Sequence, residues 1–173
     1  LYDLMIGHEV GHALFTPADG WMEKAKEQGD RFKQILNLVE DARIEKKMKR
    51  KFPGLGRPMY NGYTELVNRG FFGYSMDEMK SLSFLDRMNV HFKLGARAGA
   101  VFNDEEQSLI DRVALAETWD DVLNLAQELF DVAQKENDDL QTAFDEIMNN
   151  LDDAAAGDGE SIEKLIENLR NNG

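Results

Sequence analysis

Two histidines four residues apart, His8 and His12, enclose a glutamate, Glu9, in the stretch Gly7-His8-Glu9-Val10-Gly11-His12-Ala13-Leu14. On a helix, positions i and i+4 lie one above the other on one face. Two imidazoles so placed can grip one cation. Glu9, about a quarter-turn round, is placed to reach a water on that cation. Zinc takes neutral nitrogen donors at about 2.0–2.1 Å, and a catalytic zinc keeps one position for water. A carboxylate beside that water can take its proton as it attacks a carbonyl. The chain has only three histidines, and two of them fall at this spacing around a glutamate. The fold must therefore bring a third donor to the face of this first helix.

The third donor is expected on a second helix, Phe32 to Glu45. Glu40 has Leu36 four residues before it and Ile44 four residues after, an apolar strip, whereas Asp41 has Asn37 and Glu45 as the corresponding neighbours. A carboxylate on a buried face is unfavourable unless it is paired or binds a metal. This reading makes Glu40 the metal ligand and Asp41 its outer partner, orienting a histidine N–H. The competing reading is an amphipathic helix whose Glu40 pairs with Arg43.

His8-Glu9-x-x-His12 followed by a helical Glu40 resembles the gluzincin branch of zincin metallopeptidases. The stretch Asn37-Leu38-Val39-Glu40-Asp41-Ala42-Arg43-Ile44-Glu45 is similar to the N-x-x-E-D-x-R-I-E segment that follows such a motif in certain phage and bacterial proteins. Those proteins commonly continue into a von Willebrand factor A domain related to a cobaltochelatase subunit. The resemblance covers roughly the first third of the chain. It implies a Zn2+ cofactor held by two helices, a motif glutamate acting as base, and a peptide or protein substrate. It also implies a partner protein or a further von Willebrand factor A-like domain. Two departures stand out. Many gluzincins carry an aspartate four residues after the glutamate ligand, where this chain has Ile44. The chain also opens one turn before the motif, with no sheet segment ahead of it to form a substrate-binding edge.

A length of 173 residues suffices for one cored domain with a small appendage. With no cysteine there is neither a disulfide framework nor a thiolate-ligated metal, which permits a cytoplasmic setting. No apolar run approaches the length of a membrane span, so no membrane association is expected. A start at Leu1 without methionine is expected of a portion of a longer protein. The net charge of −13 is uneven: residues 131–173 hold twelve acidic and three basic side chains. Nucleic acid is a poor partner for such a chain. The basic run Lys46 to Lys51 suits the last turn of a helix, where cations complement the macrodipole.

Hydrophobic periodicity points to an all-α fold: two metal-binding helices side by side and a helical C-terminal extension. The first helix spans Leu1 to Phe15, with Leu4, Met5, Leu14 and Phe15 as its packing residues. A short helix, Trp21 to Gln28, follows, and then Gly29-Asp30 breaks the chain and caps the helix Arg31 to Phe52. Pro53 to Pro58 is a breaker. A helix from Met59 to Phe72 carries Tyr60 and Tyr63, either of which could polarise a carbonyl. A discontinuous helix then runs to Arg97. It contains His91, more naturally a packed core histidine but also a reserve electrophile or fourth ligand. Asn103 or Asp104 caps a helix to about Ala116, and Thr118 caps a long one to Asn149. The expected organisation is a helical metallopeptidase-like domain over residues 1–151. An acidic linker with a short terminal helix, Ser161 to Asn171, fills residues 152–173.

Three functions follow from these residues. The first is a zinc-dependent metallopeptidase, with His8, His12 and Glu40 on zinc, Glu9 as general base and Asp41, Tyr60, Tyr63 or His91 assisting. The second is a degenerate zincin-like regulatory domain in which the metal staples the fold. The third is a helical interaction module without metal.

Overall fold

The computed structural model describes residues 1–17, 28–73 and 76–156. Among them the chain forms six α-helices and no strand. These are α1 (Tyr2–Phe15), α2 (Asp30–Lys51), α3 (Gly56–Asn68), α4 (Phe84–Leu94), α5 (Asp104–Leu115) and α6 (Trp119–Ala156), with 3₁₀ turns at Pro53–Leu55, Met76–Ser81 and Gly95–Ala98. The expected all-α class is therefore observed. The chain divides into two compact units, Leu1–Phe130 and Asp131–Gly173. The expected helices Trp21 to Gln28 and Ser161 to Asn171 lie largely or wholly outside the described residues.

Glycines decide how α1 packs. A Cβ added at Gly11 would stand 3.0 Å from Met48 Cγ and 3.3 Å from Ile44 Cδ1, so α2 approaches α1 where no side chain intervenes. On the other side, a Cβ at Gly62 would meet Leu4 Cβ and Cδ2 at 2.8 Å, so α3 receives Leu4 against its bare backbone. The buried positions of α1 are accordingly Leu4, Gly7 and Gly11. Met5 and Leu14, expected to pack, are exposed, as are Tyr2, Ile6 and Val10. The helix is held by its small-residue face rather than by its most apolar one.

Leu4 joins Met59, Tyr63, Val67, Val90, Leu94 and Ala98 in a core shared by α1, α3, α4 and the turn after α4. Along α2, Leu36, Val39 and Ile44 are fully buried, and Phe32 meets Phe130 edge to face with centroids 5.6 Å apart.

The helix ends follow local chemistry with two departures. Gly29, at φ 87°, is the N-cap of α2, and Asp30 is its first residue, where a carboxylate favours the positive end of the helix dipole. The stretch Gly56-Arg57-Pro58 opens α3 instead of breaking the chain. Proline is tolerated in a first turn because its missing N–H has no intrahelical partner there. Asn103 and Glu106 form the reciprocal capping box of α5. At the start of α6, Thr118 Oγ1 accepts from the Asp121 N–H at 3.1 Å, while Asp121 accepts from the Thr118 N–H at 2.8 Å.

In the second unit the described residues, 131–156, are helical. The helix runs past Asn149 to Ala156, through the start of the expected linker. Alanine, the best helix former, occupies its last three positions. Among the described residues no helix is long and apolar enough to cross a membrane.

Candidate metal centre

The contact at Gly11 brings two polar strips face to face. His8, His12 and Thr16 follow one another at one-turn intervals on and just after α1, and Asp41 and Glu45 do the same on α2. His12 Nε2 lies 3.2 Å from Asp41 Oδ1, and His8 Nε2 lies 3.6 Å from the same oxygen. The rings meet edge to face with centroids 4.8 Å apart. Among the described residues His8, His12 and Asp41 form a group that could hold a metal ion, with one ligand atom from each within 4.8 Å of the others. Donors at 2.0–2.1 Å around a tetrahedral zinc stand about 3.3 Å apart. Both N–O separations are close to that edge length. About a quarter of each side chain is exposed, so solvent reaches the group.

Hydrogen bonding assigns the His12 tautomer. Thr16 Oγ1 donates to Glu40 Oε1 at 2.6 Å, so its oxygen is left to accept from His12 Nδ1, 3.0 Å away. Nδ1 then carries the proton, and Nε2 presents a lone pair toward Asp41 Oδ1. Two lone pairs 3.2 Å apart repel unless a second proton or a cation stands between them. His8 is held differently, since its buried Nδ1 makes no hydrogen bond among the described residues. Its buried Nδ1 has Glu45 Oε1 at 3.5 Å, and its Nε2 is turned to Asp41. The Glu45 carboxylate, aided by Asp41, raises the pKa of His8 above its ordinary value against the opposing effect of burial.

The two carboxylates expected at the site exchange places. Glu40, expected as the third ligand, has no exposed surface, and its oxygens are occupied by Arg43 Nε at 2.8 Å, Arg43 Nη2 at 2.6 Å and Thr16 Oγ1 at 2.6 Å. The buried charge is compensated by a guanidinium rather than by a metal, and Glu40 reaches His12 only through Thr16. Asp41, expected as the outer partner, faces both imidazoles. The physical reason is helical phase: Met48, which meets Gly11 together with Ile44, lies two turns on from Asp41 and in line with it, while Ile44 falls between the Glu40 and Asp41 strips. Leu36 and Glu40 are buried on a different side, where Arg43 also donates to the carbonyls of Phe15 at 2.8 Å and Glu117 at 3.2 Å. Four positions after Asp41 stands Glu45, beside His8.

Glu45 anchors the floor of the site. Burial alone would push its pKa up, but His8, Lys93, Lys49 and the Tyr63 hydroxyl together hold it at about 2. Lys49 Nζ is 3.3 Å from Oε2, and Tyr63 donates a short hydrogen bond to Oε1. Burial and the Glu45 charge in turn push the Tyr63 hydroxyl far above its ordinary value, so it stays protonated. Tyr63 therefore supports Glu45 rather than reaching out to a ligand.

Glu9 is exposed on the wall of a cleft of about 680 Å³. His8, Asp41, Tyr63 and Lys93 line the same cleft, with Leu38, Leu66 and Phe72 among its apolar walls. Two of the sequence candidates stand elsewhere. Tyr60 lies under Arg97, whose guanidinium is 5.0 Å from its ring centre, in a separate concavity with Arg57 and Leu94. His91 packs against Phe92 and Phe102 at 5.5 and 5.4 Å, and burial lowers its pKa. Thr16, Glu45 and Lys93 were not among the sequence candidates. One-turn spacing from His12 and from Asp41 points to the first two, whereas Lys93 is brought in only by the packing of α4.

Compared with protein-family models, with curated proteins and with solved structures, the chain matches none.

Proposed function

We propose that the chain is a zinc-dependent hydrolase of peptide bonds, with His8, His12 and Asp41 as the metal donors and Glu9 as general base. The observation that carries this reading is the convergence of His8 Nε2 and His12 Nε2 on one Asp41 oxygen, at 3.6 and 3.2 Å, beside a cleft that His8, Asp41 and Glu9 line. Two imidazoles and one carboxylate are a donor set that zinc accepts, and three protein donors leave a fourth position open. Zinc in such a set makes a bound water acidic enough to be deprotonated near neutral pH. The protein supplies the rest. Thr16 fixes the His12 tautomer, Glu45 sets a negative charge beside His8 Nδ1, Asp41 contributes the anionic donor, and Glu9 accepts a proton at its carboxylate and returns it to the leaving nitrogen. The resemblance of His8-Glu9-x-x-His12 to gluzincin metallopeptidases agrees with this assignment.

The test is a pair of measurements on the full chain. Zinc binding at one equivalent should be lost in His8→Ala, His12→Ala and Asp41→Ala and retained in Glu9→Gln. Cleavage of unfolded, dye-labelled casein should be lost in all four. Cleavage that survives Glu9→Gln would refute the base assignment. Zinc bound with no cleavage by the wild-type chain would point to a metal that staples α1 to α2.

A further inference from the structure

We infer that Lys93 receives the negative charge that develops on the substrate carbonyl oxygen, an inference that rests on the hydrolase reading above. In peptide hydrolysis the water oxygen adds to the carbonyl carbon, the C=O π pair moves onto its oxygen, and Glu9 takes the water proton. The tetrahedral adduct then collapses: the C–N bond breaks, its electron pair goes to nitrogen, and Glu9 hands the proton to the departing amine. Between these events the former carbonyl oxygen is anionic. A donor fixed in advance beside it lowers the barrier more than any that must reorganise.

The groups suggested by sequence for this task are otherwise engaged. The Tyr63 hydroxyl is given to Glu45, Tyr60 lies in another concavity, and His91 is packed between phenylalanines. Lys93 lines the cleft together with His8, Glu9 and Asp41. Its Nζ is 3.6 Å from Asp41 Oδ2, the oxygen not shared by the imidazoles, and 4.7 Å from the centre of the Tyr63 ring. Its side chain is only 10 % exposed. An ion pair on one side and an aromatic face on the other thus hold the ammonium at the cleft wall. An ammonium has three N–H donors, so these two contacts leave one for a carbonyl oxygen. The other cation of the cleft, Arg31, lies nearly three helical turns before Asp41 on α2.

The experiment uses the full chain loaded with zinc, with dye-labelled casein as substrate and Glu9→Gln alongside. Lys93→Met should keep one zinc per chain and a KM within about threefold of wild type, while kcat falls about 10²–10³-fold. Lys93→Arg should restore part of that loss. A phosphinic peptide, a stable tetrahedral anion, should bind Lys93→Met at least about tenfold more weakly by calorimetry, an effect of the same origin as the kcat loss. Unchanged kcat and phosphinic affinity in Lys93→Met, with Glu9→Gln inert, overturn the Lys93 assignment and leave the hydrolase reading intact. Loss of zinc from Lys93→Met also overturns it, making Lys93 a positioning residue for Asp41. A wild-type chain that binds zinc but neither cuts casein nor binds the phosphinic peptide brings down both.

Discussion

Thr16 donates its hydroxyl proton to Glu40 and accepts one from His12, so a buried carboxylate reaches the candidate metal centre through a single oxygen. The same carboxylate holds Arg43, which in turn holds the carbonyls ending α1 and preceding α6. Adjacent residues on α2 therefore carry different burdens: Glu40 secures the scaffold and Asp41 faces the donors.

That division is open to a direct comparison. Glu40→Ala should be a folding mutation, destabilising by about 3–5 kcal/mol because it leaves the buried Arg43 charge without its partner. Asp41→Ala should change urea stability of the metal-free chain far less while removing tight zinc binding. Thr16→Val should lie between, with zinc affinity lowered about 10–100-fold, as for other groups that orient a ligand. Urea melts and zinc calorimetry on the three variants check the order.

The glycines of α1 and α3 should respond to a methyl group in proportion to the space each has. Gly62→Ala, with Leu4 at 2.8 Å, should destabilise by about 1–3 kcal/mol, and Gly11→Ala, with Met48 at 3.0 Å, by a similar or smaller amount. Gly7→Ala meets only Leu55 at 3.5 Å. There the helix propensity of alanine should prevail and leave the chain unchanged or up to about 1 kcal/mol more stable. Thermal melts of the three variants give the ranking.

Acid should weaken the metal-free protein through Glu45. Its folded pKa of about 2 lies below the ordinary 4.5. Between those values the unfolded chain binds more protons, so stability rises with pH across the window and falls as pH drops through it. His8, with a raised pKa, works in the opposite sense: its contribution is full below 6.5 and fades as pH rises through the folded value. Glu45→Gln should flatten the stability profile between pH 4.5 and 2. A profile of wild-type slope in that variant would count against the assignment.

Removing metal should lower the melting temperature. A ligand at 100 times its Kd adds about 2.7 kcal/mol. For a chain of this size that corresponds to about 5–10 °C between zinc-saturated and chelated protein. The difference should vanish in His12→Ala and persist in Glu9→Gln.

The helical class and the pairing of the two motif helices were legible because periodicity and the i, i+4 histidines act locally. The register of the third candidate donor was not. Glu40 and Asp41 are both plausible from their neighbours, and only the Gly11 contact with Ile44 and Met48 decides which strip of α2 faces α1. The apolar side chains of α1 misled for a related reason: close packing used its glycines and left Ile6, Val10 and Leu14 outside. Lys93 was illegible because its place depends on α4 crossing toward Asp41, a contact between residues 52 positions apart in the chain.

The linkage from Arg43 to the Glu117 carbonyl also bears on how the protein is made. All three candidate donors precede residue 42, whereas Lys93 and Glu117, which brace their surroundings, come much later in the chain. At about 5–20 residues per second of synthesis, roughly 4–15 s separate the appearance of Asp41 from that of Glu117. During that interval the nascent chain carries the three candidate donors without their finished scaffold. Early capture of an ion would join α1 to α2 before α6 exists, and the late helices would then close on a pair already tied together.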